Sequence, residues 1–311
     1  MTSAAPNPSV TVGVVALCGP RHIERCLRAL EAQSEAPAFD VVVAHNAALA
    51  GVSALGERFP AARFVCREGF QTPIDLAALA ASKAAGEILL LTEDHCVPEP
   101  EWVRRLSAAL EPGRAAVGGG IETDAKTATS WAFYFVDFFR YLEPVPAGEA
   151  VSVSVCNVAY RRAELEGIRE CWERGFHETE VHEQLRQRFG ALWLVAGAAV
   201  KMRREVRFGD AVRERYDLGR LFAAKRAGFS GRGRRVFYLL FSPGLPVLLL
   251  GRMAGKALRR ADTAGKFLQA LAALVALVVA WSWGEFLGYL TGRAPAAVRF
   301  AEEIETAEEH R

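Results

Sequence analysis

Leu89-Leu-Leu-Thr-Glu93-Asp94-His95-Cys-Val-Pro98-Glu-Pro-Glu-Trp102 is the stretch that decides how this chain is interpreted. An apolar run of strand type, residues 87–91, ends in three consecutive side chains that can bind a metal. A charge at the end of a buried strand must be paired or coordinated, because an unpaired buried charge is costly. Oxygen ligands with one imidazole suit Mg²⁺ or Mn²⁺. The alternative is a solvated acidic loop whose carboxylates cap the next helix.

Around this stretch, strand and helix patterns alternate along the chain. Continuous apolar runs indicate buried strands, which are predicted at 10–17, 40–44, 63–66, 87–91, 115–118, 151–159 and 192–200. Amphipathic spacing predicts helices, which are expected at 23–33, 76–85, from 101 onward, at 131–142 and at 178–189. This alternation predicts an α/β fold with a mostly parallel open sheet and flanking helices. Such a sheet places ligands at the carboxyl ends of its strands.

Composition limits the classes of function that are open to the chain. It has 311 residues, 51% of them apolar, and a net charge of +2, which argues against nucleic acid as a partner. Its six cysteines show no CxxC spacing, which argues against a zinc knuckle or a disulfide framework and fits a reducing compartment. No basic region precedes the first apolar run, so we expect no cleaved signal peptide and a cytoplasmic main domain.

The character of the sequence changes after Arg204. Residues 213–235 are rich in arginine, 236–251 are apolar but interrupted by Pro243 and Pro246, 252–266 are basic, and 267–290 are apolar. About 20 apolar residues cross a bilayer, so we expect one shallow segment and one span. A soluble helical pair that buries these faces in a dimer is the alternative. The predicted divisions are a main domain at 1–205, a basic juxtamembrane linker at 206–235, membrane-associated helices at 236–292 and an acidic tail at 293–311.

The segment 131–142 carries seven aromatic residues. A buried core helix explains them. Because the aromatic residues cover every face of the helix, contact with lipid or with a lipidic acceptor is the competing interpretation.

Taken together, these pieces resemble the family 2 glycosyltransferases, which are inverting enzymes of the GT-A fold. The resemblance covers about residues 9–205. It rests on the following segments: the strand 10–17 with Pro20 and the helix to Gln33; Asp40-Val-Val-Val-Ala-His45-Asn46; Lys83-Ala-Ala-Gly86; Glu93-Asp94-His95-x-x-Pro98 with Trp102; Asn157-Val-Ala-Tyr-Arg-Arg162; and Gly175-Phe-His-Glu178 with the helix that follows. The tail around Trp281 and Tyr289 is similar to the membrane tails of bacterial members.

The resemblance implies a nucleotide-diphosphate sugar as donor and Mn²⁺ or Mg²⁺ as cofactor. It places the metal ligands at Glu93, Asp94 and His95. It places the donor-binding residues at Ala16, Cys18, Pro20, His45, Asn46, Lys83, Glu93 and Asp94. Two positions depart from the family pattern, because His95 stands where a metal-binding aspartate is usual and His45 where an aspartate contacts the base.

Inversion requires a general base that takes the proton of the acceptor hydroxyl. The family provides an acidic residue at the start of a helix, and here that region is Phe176-His-Glu178-Thr-Glu180-Val-His182-Glu183. Glu183 matches the family's pair best. Glu178 with His182, one helical turn apart, is the second assignment.

The resemblance therefore implies a hexosyltransferase of the inner membrane whose catalytic domain faces the cytoplasm. It would transfer sugar to a lipid-linked or cell-envelope glycan acceptor and would contact membrane lipids. The alternative is a catalytically silent GT-A-like scaffold or partner subunit. A nucleotidyltransferase ranks behind both, because no Gly-rich basic loop follows the first strand.

Overall fold

The computed structural model describes residues 9–69, 71–296, 298 and 300, so most of the predicted acidic tail lies outside the described residues. Its strands are β1 (Val10–Ala16), β2 (Phe39–Asn46), β3 (Ala62–Arg67), β4 (Ile88–Glu93), β5 (Cys96–Pro98), β6 (Arg114–Gly118), β7 (Ile121–Thr123), β8 (Gly148–Ala150), β9 (Asn157–Arg161), β10 (Ala191–Leu194) and β11 (Val200–Met202). Its helices are α1 (Pro20–Glu31), α2 (Val52–Arg58), α3 (Pro73–Lys83), α4 (Trp102–Ala109), α5 (Ala128–Phe138), α6 (Arg162–Glu166), α7 (Arg169–Trp172), α8 (Glu178–Arg188), α9 (Phe208–Phe229), α10 (Arg232–Phe241), α11 (Leu245–Ala257) and α12 (Ala261–Thr291).

The predicted α/β sheet is present. Eight strands pair in the order β3-β2-β1-β4-β9-β6-β10-β8. Four of the pairs are parallel, whereas β9 runs antiparallel to β4 and β6, and β8 antiparallel to β10. Every residue of β1 is buried, as expected for a strand with helices on both sides of the sheet.

Two predicted strands differ from those observed. The apolar run at 151–159 does not form one strand, because β9 begins only at Asn157. The run at 192–200 forms two short strands, β10 and β11, because Gly197 adopts a positive φ of 74° between them. β11 leaves the large sheet and pairs with β5 and β7 in a three-stranded sheet that the sequence did not predict.

The chain divides into two compact units. Unit 1 comprises Met1–Thr123 and Tyr141–Arg203, and unit 2 comprises Asp124–Arg140 and Arg204–Arg311. The aromatic helix α5 thus belongs to unit 2. Most of its aromatic rings are buried there, with Phe133 1% and Phe135 0% exposed, which supports the core interpretation over exposure to lipid.

Two parts of unit 2 are long and apolar enough to cross a membrane, judged by length and composition alone. They are Arg232–Ala257, which contains α10 and α11, and Ala261–Thr291, which is α12. Both coincide with the apolar segments predicted from the sequence.

Candidate functional site

The candidate site lies in unit 1, where the strand order reverses. From β1 the chain proceeds outward through β2 and β3 and then returns to place β4 on the other side of β1. Val15 of β1 pairs with Glu93 of β4, and Ala16 pairs with His45 of β2, so the three strands end at one edge. Such a reversal opens a crevice at the carboxyl ends of the strands. With neighbouring strands about 4.8 Å apart, His45 and Glu93 lie about 10 Å from each other.

Asp94 joins the loop after β4 to the loop after β1. Its carboxylate oxygen Oδ2 accepts hydrogen bonds from the backbone N–H groups of Leu17, Cys18 and Gly19, at 3.0, 2.8 and 3.3 Å. Asp94 is 1% exposed. Its other oxygen, Oδ1, is buried and has no hydrogen-bond partner. One half of this carboxylate therefore orders the loop, and the other half presents an unsatisfied acceptor.

Three donor atoms, one of them Asp94 Oδ1, lie within 3.9 Å of the His95 ring nitrogen Nδ1. His95 Nδ1 lies 3.8 Å from Asp94 Oδ1 and 3.5 Å from Glu93 Oε2. The Cys18 Sγ lies 3.9 Å from the same ring nitrogen. Ligand atoms on one divalent ion are separated by about 3 to 4.2 Å when each bond is about 2.1 Å. The donor atoms of Cys18, Asp94 and His95 lie within 4.8 Å of one another, so small shifts would bring them onto one ion.

The electrostatics of the cluster follow from its burial. Desolvation raises the pKa of Glu93 to about 7, although the nearby His95 opposes the rise. For His95, burial disfavours the charged ring, but the nearby Cys96, Asp94 and Cys18 outweigh it, so its pKa lies well above the usual value. Any cation bound here would displace a proton from His95.

The other residues predicted to bind the donor do not all lie at this edge of the sheet. Ala16 ends β1, Cys18 belongs to the loop that Asp94 orders, and Pro20 begins α1, so all three lie at this edge. His45 is half-buried at the end of β2, where its Nδ1 lies 3.0 Å from the Asn46 carbonyl oxygen. Lys83 is not at this edge.

Lys83 ends α3, just before β4 begins, so it lies at the opposite end of the strand from Glu93. The six residues of β4 span about 17 Å. The structure therefore places Lys83 away from the edge that carries Glu93 and Asp94, because the end of a crossover helix returns to the amino edge of a parallel sheet.

Asn46 has a structural partner. Its side-chain amide donates to the Gln71 carbonyl oxygen at 3.0 Å, and its Oδ1 accepts from the Gln71 N–H at 2.6 Å. This reciprocal pair connects the end of β2 to the segment before α3, beside the site.

The three candidate bases are in different environments. The Glu178 carboxylate begins α8 and accepts the Val155 N–H at 2.8 Å. His182 is 4% exposed, and its Nε2 lies 2.7 Å from the buried Tyr160 hydroxyl. Burial lowers the pKa of His182 to about 3. Glu183 has a 54% exposed side chain and contacts Arg186 and Gln187 of its own helix. The predicted Glu178–His182 pair is thus divided between two different partners.

Two important residues were missed by sequence reasoning. The Cys156 carbonyl oxygen accepts the buried Thr92 hydroxyl at 2.9 Å, next to Glu93 in β4. The motif that begins at Asn157 predicts no role for the Asn157 side chain. It is fully buried, donates to the carbonyl oxygens of Gly120 and Ala198, and accepts from Trp102 Nε1. Neither role has a spacing signal, because both depend on β9 being inserted between β4 and β6.

The Gly118–Gly120 turn is packed by protein. A Cβ on Gly119 would lie 1.7 Å from the Ala198 carbonyl oxygen, and one on Gly120 would lie 2.1 Å from the Glu143 carboxylate. The turn therefore requires glycine for packing against protein atoms.

Comparison with solved structures agrees with this topology. The chain superimposes on residues 1–349 of *S. aureus* TarS, in complex with UDP-GlcNAc, with a TM-score of 0.50, 14% identity and 92% coverage of both chains. The fold is GT-A-like. The mannosyltransferase PcManGT from *Pyrobaculum calidifontis*, in complex with GDP-Man and Mn²⁺, gives a TM-score of 0.48 with 16% identity over 93% of this chain and 76% of that one. No protein-family model and no curated protein sequence matches this chain.

Proposed function

We propose that this protein is a metal-dependent inverting glycosyltransferase that uses a nucleotide-diphosphate sugar. The observation that carries the proposal is the buried, unpartnered Asp94 Oδ1 with Glu93 and His95 beside it. This group stands at the strand reversal of a GT-A-like sheet, where such folds bind ligands. The hexosyl nature of the donor and the family 2 assignment are parts of the same proposal.

Cys18, Asp94 and His95 have ligand atoms close enough together to hold a divalent ion. Glu93, whose Oε2 lies 3.5 Å from His95 Nδ1, would join them in this proposal. The ion would offset negative charge on the departing nucleoside diphosphate. Mg²⁺ favours near-octahedral oxygen coordination, whereas an imidazole is present here, so Mn²⁺ fits this set better than Mg²⁺. The backbone N–H groups of residues 17–19 donate to Asp94, which keeps this loop ordered. In the proposal the ordered loop lies beside the donor.

Glu178 is the stronger candidate for the general base. Its carboxylate accepts the Val155 N–H, and the carbonyl oxygen of the adjacent Cys156 accepts the hydroxyl of Thr92, the residue before Glu93, so a short segment joins the base to the metal ligands. The exposed Glu183 has no such connection within the described residues. His182 is excluded from this role by its deep burial against Tyr160. In the proposed reaction Glu178 takes the acceptor proton while the acceptor oxygen attacks the anomeric carbon.

The apolar helices α10–α12 support an acceptor that is lipid-linked or part of the cell envelope, at the cytoplasmic face of the inner membrane. A sugar acceptor carried by lipid is reached most readily by an enzyme held at the bilayer. Because α5 is buried inside unit 2, the proposed contact with lipid rests on α10–α12.

A silent scaffold is the second candidate, and one observation favours it. Asp94 Oδ2 and the His182 ring both form hydrogen bonds within the protein. This is expected of a domain that keeps the GT-A-like fold but has no catalytic activity.

Calorimetric titration separates the two candidates. UDP- and GDP-sugars, with UDP-GlcNAc among them, are titrated with Mn²⁺, Mg²⁺ or Zn²⁺ present. An enzyme binds one donor only with a metal and releases its nucleoside diphosphate. His95→Ala should abolish metal-dependent binding, and Glu178→Gln should preserve binding but stop turnover. Cys66→Ala, at an exposed cysteine, is the matched control. Absence of heat with every donor would support the scaffold.

A further inference from the structure

The packing of the helices in unit 2 adds information that their composition alone does not contain. By length and apolar content α12 could cross a bilayer, as the sequence predicts. Whether α12 crosses depends on the helices that are packed against it, because these helices would have to enter the hydrocarbon of the bilayer together with α12.

α12 is packed against α9 with backbone in contact with backbone. A Cβ on Gly284 would lie 2.2 Å from the Tyr216 carbonyl oxygen, and one on Gly288 would lie 2.6 Å from the Arg220 carbonyl oxygen. A Cβ on Gly219 of α9 would lie 2.3 Å from the carbonyl oxygen of residue 281. The two helices therefore run side by side in a fixed register, with 216–224 at the level of 281–288.

α9 carries charge along this contact. Arg213, whose side chain is 59% exposed, lies one turn before Tyr216, which places it near the middle of the apolar stretch of α12. Next to it, Glu214 is ion-paired with Arg204 at 2.7 Å, and Arg215 is paired with Asp137 of α5. Ionised groups at the centre of a bilayer are strongly disfavoured.

The amino-terminal turns of α12 are held as well. Phe267 packs edge-on against Phe135 of α5, with ring centroids 5.4 Å apart, and Lys266 lies 5.7 Å from the centroid of the Trp131 ring. α5 begins only five residues after Thr123 ends β7. A spanning α12 would have to carry α5 and the charged part of α9 into the hydrocarbon.

The exposed surface of the same unit is apolar and basic. Large apolar side chains are exposed on α10, α11 and α12; they are Val236, Phe237, Leu240, Phe241, Val247, Leu248, Leu268, Leu271, Val275, Val279, Trp283 and Leu290. Leu240 is 75% and Val247 79% exposed. Residues 231–266 contain one acidic residue, Asp262, and the basic residues Arg232, Arg234, Arg235, Arg252, Lys256, Arg259, Arg260 and Lys266.

We propose that unit 2 binds an anionic lipid bilayer as a peripheral body, with α10–α12 lying along the surface and α12 not crossing. The exposed apolar side chains enter the boundary between headgroups and acyl chains, and the flanking arginine and lysine residues bind acidic headgroups. A second copy of the chain is the poorer occupant, because a two-fold dimer through this face would bring two basic surfaces together. The proposal is independent of the glycosyltransferase assignment.

Accessibility labelling in cells tests the topology of α12. Ala261→Cys and Ala294→Cys place single reporters before and after α12, both at exposed positions, in a chain that also carries Cys66→Ser. A membrane-impermeant maleimide is applied to inverted inner-membrane vesicles and to intact spheroplasts, and the parent chain sets the background. We expect both reporters to react only in the inverted vesicles. Reaction of the two reporters from opposite sides would overturn the proposal, as would recovery of the protein in the soluble fraction alone.

Vesicle flotation tests the surface itself. Purified full-length protein is mixed with phosphatidylcholine vesicles with or without about 30% phosphatidylglycerol. We expect at least about tenfold tighter binding to the anionic vesicles, weakened in about 0.5 M NaCl by charge screening. Leu240→Asp and Val247→Asp should each reduce binding severalfold without changing the circular dichroism, because both side chains are exposed. Val151→Asp, at an 86% exposed valine of unit 1, is the matched control. Equal binding of all variants, or indifference to lipid charge, would refute the assignment.

Discussion

Replacing Asp94 separates the two tasks that its carboxylate performs. Oδ2 accepts three backbone N–H groups, and Oδ1 faces His95 without a hydrogen-bond partner. Asp94→Asn keeps one oxygen for the loop amides and presents an NH₂ group where Oδ1 was. Asp94→Ala removes both. The two variants should therefore differ in stability but agree in losing the metal.

The stability difference can be estimated from the hydrogen bonds. A hydrogen bond to a charged group contributes about 1.5–3 kcal/mol. Two of the three bonds, at 2.8 and 3.0 Å, have good lengths, and the third, at 3.3 Å, is long. Relief from burying a charge offsets part of the loss in the alanine variant. We expect Asp94→Ala to reduce the free energy of unfolding by about 3 kcal/mol and Asp94→Asn by about 1 kcal/mol.

Guanidinium unfolding measures both values, and calorimetric titration of Mn²⁺ measures the metal. Glu111→Ala, which removes a carboxylate that is 60% exposed, should change stability by less than about 0.5 kcal/mol and serves as the control. If Asp94→Ala is as stable as the parent, the loop is not held by this carboxylate. If Asp94→Asn binds Mn²⁺ as the parent does, Oδ1 is not a ligand.

Three other predictions concern single side chains. Asn157→Ala leaves the Trp102 indole N–H and the Ala198 carbonyl oxygen without their partner, whereas the Gly120 carbonyl oxygen keeps the Val200 N–H. The variant should lose about 3 kcal/mol of unfolding free energy, measured by the same denaturation, and a loss below about 1 kcal/mol would contradict this role. The pKa of His182 falls to about 3 on folding, so the unfolded chain takes up the proton first as the pH drops. The parent should therefore lose about 2 kcal/mol between about pH 7 and pH 5 from this residue, and His182→Gln should lose correspondingly less in paired unfolding curves. Lys83→Ala should leave the affinity for the donor nucleotide unchanged in calorimetry, because Lys83 lies at the far end of β4. A large loss of affinity would show that Lys83 does contribute to donor binding.

The sequence predicts the sheet well where local pattern and burial coincide. β1 and β4 are continuous apolar runs buried by helices on both sides of the sheet, and their ends bring Cys18 and Asp94 together as parallel pairing requires. The pattern fails where tertiary structure decides. β9 begins only at Asn157, several residues after the start of the apolar run, and β11 joins another sheet after the turn at Gly197. The hydrophobicity of a segment predicts neither feature.

The same limit applies to the site residues. The spacing of Val181 and Leu185 marks the core face of α8 and leaves His182 beside that face. His182 is buried too, because the Tyr160 hydroxyl provides a polar partner there. The period of a helix gives the direction of a side chain and not the chemistry of its neighbour. A buried histidine and a catalytic one are indistinguishable in the sequence until that neighbour is known.

The three N–H groups on Asp94 Oδ2 make one carboxylate common to two loops, one of which borders the proposed nucleotide position and the other the proposed cation position. Ligation of Oδ1 would redistribute charge on the oxygen that orders the nucleotide-side loop. Affinities for the two ligands would then be thermodynamically linked, each strengthening the other by the same factor.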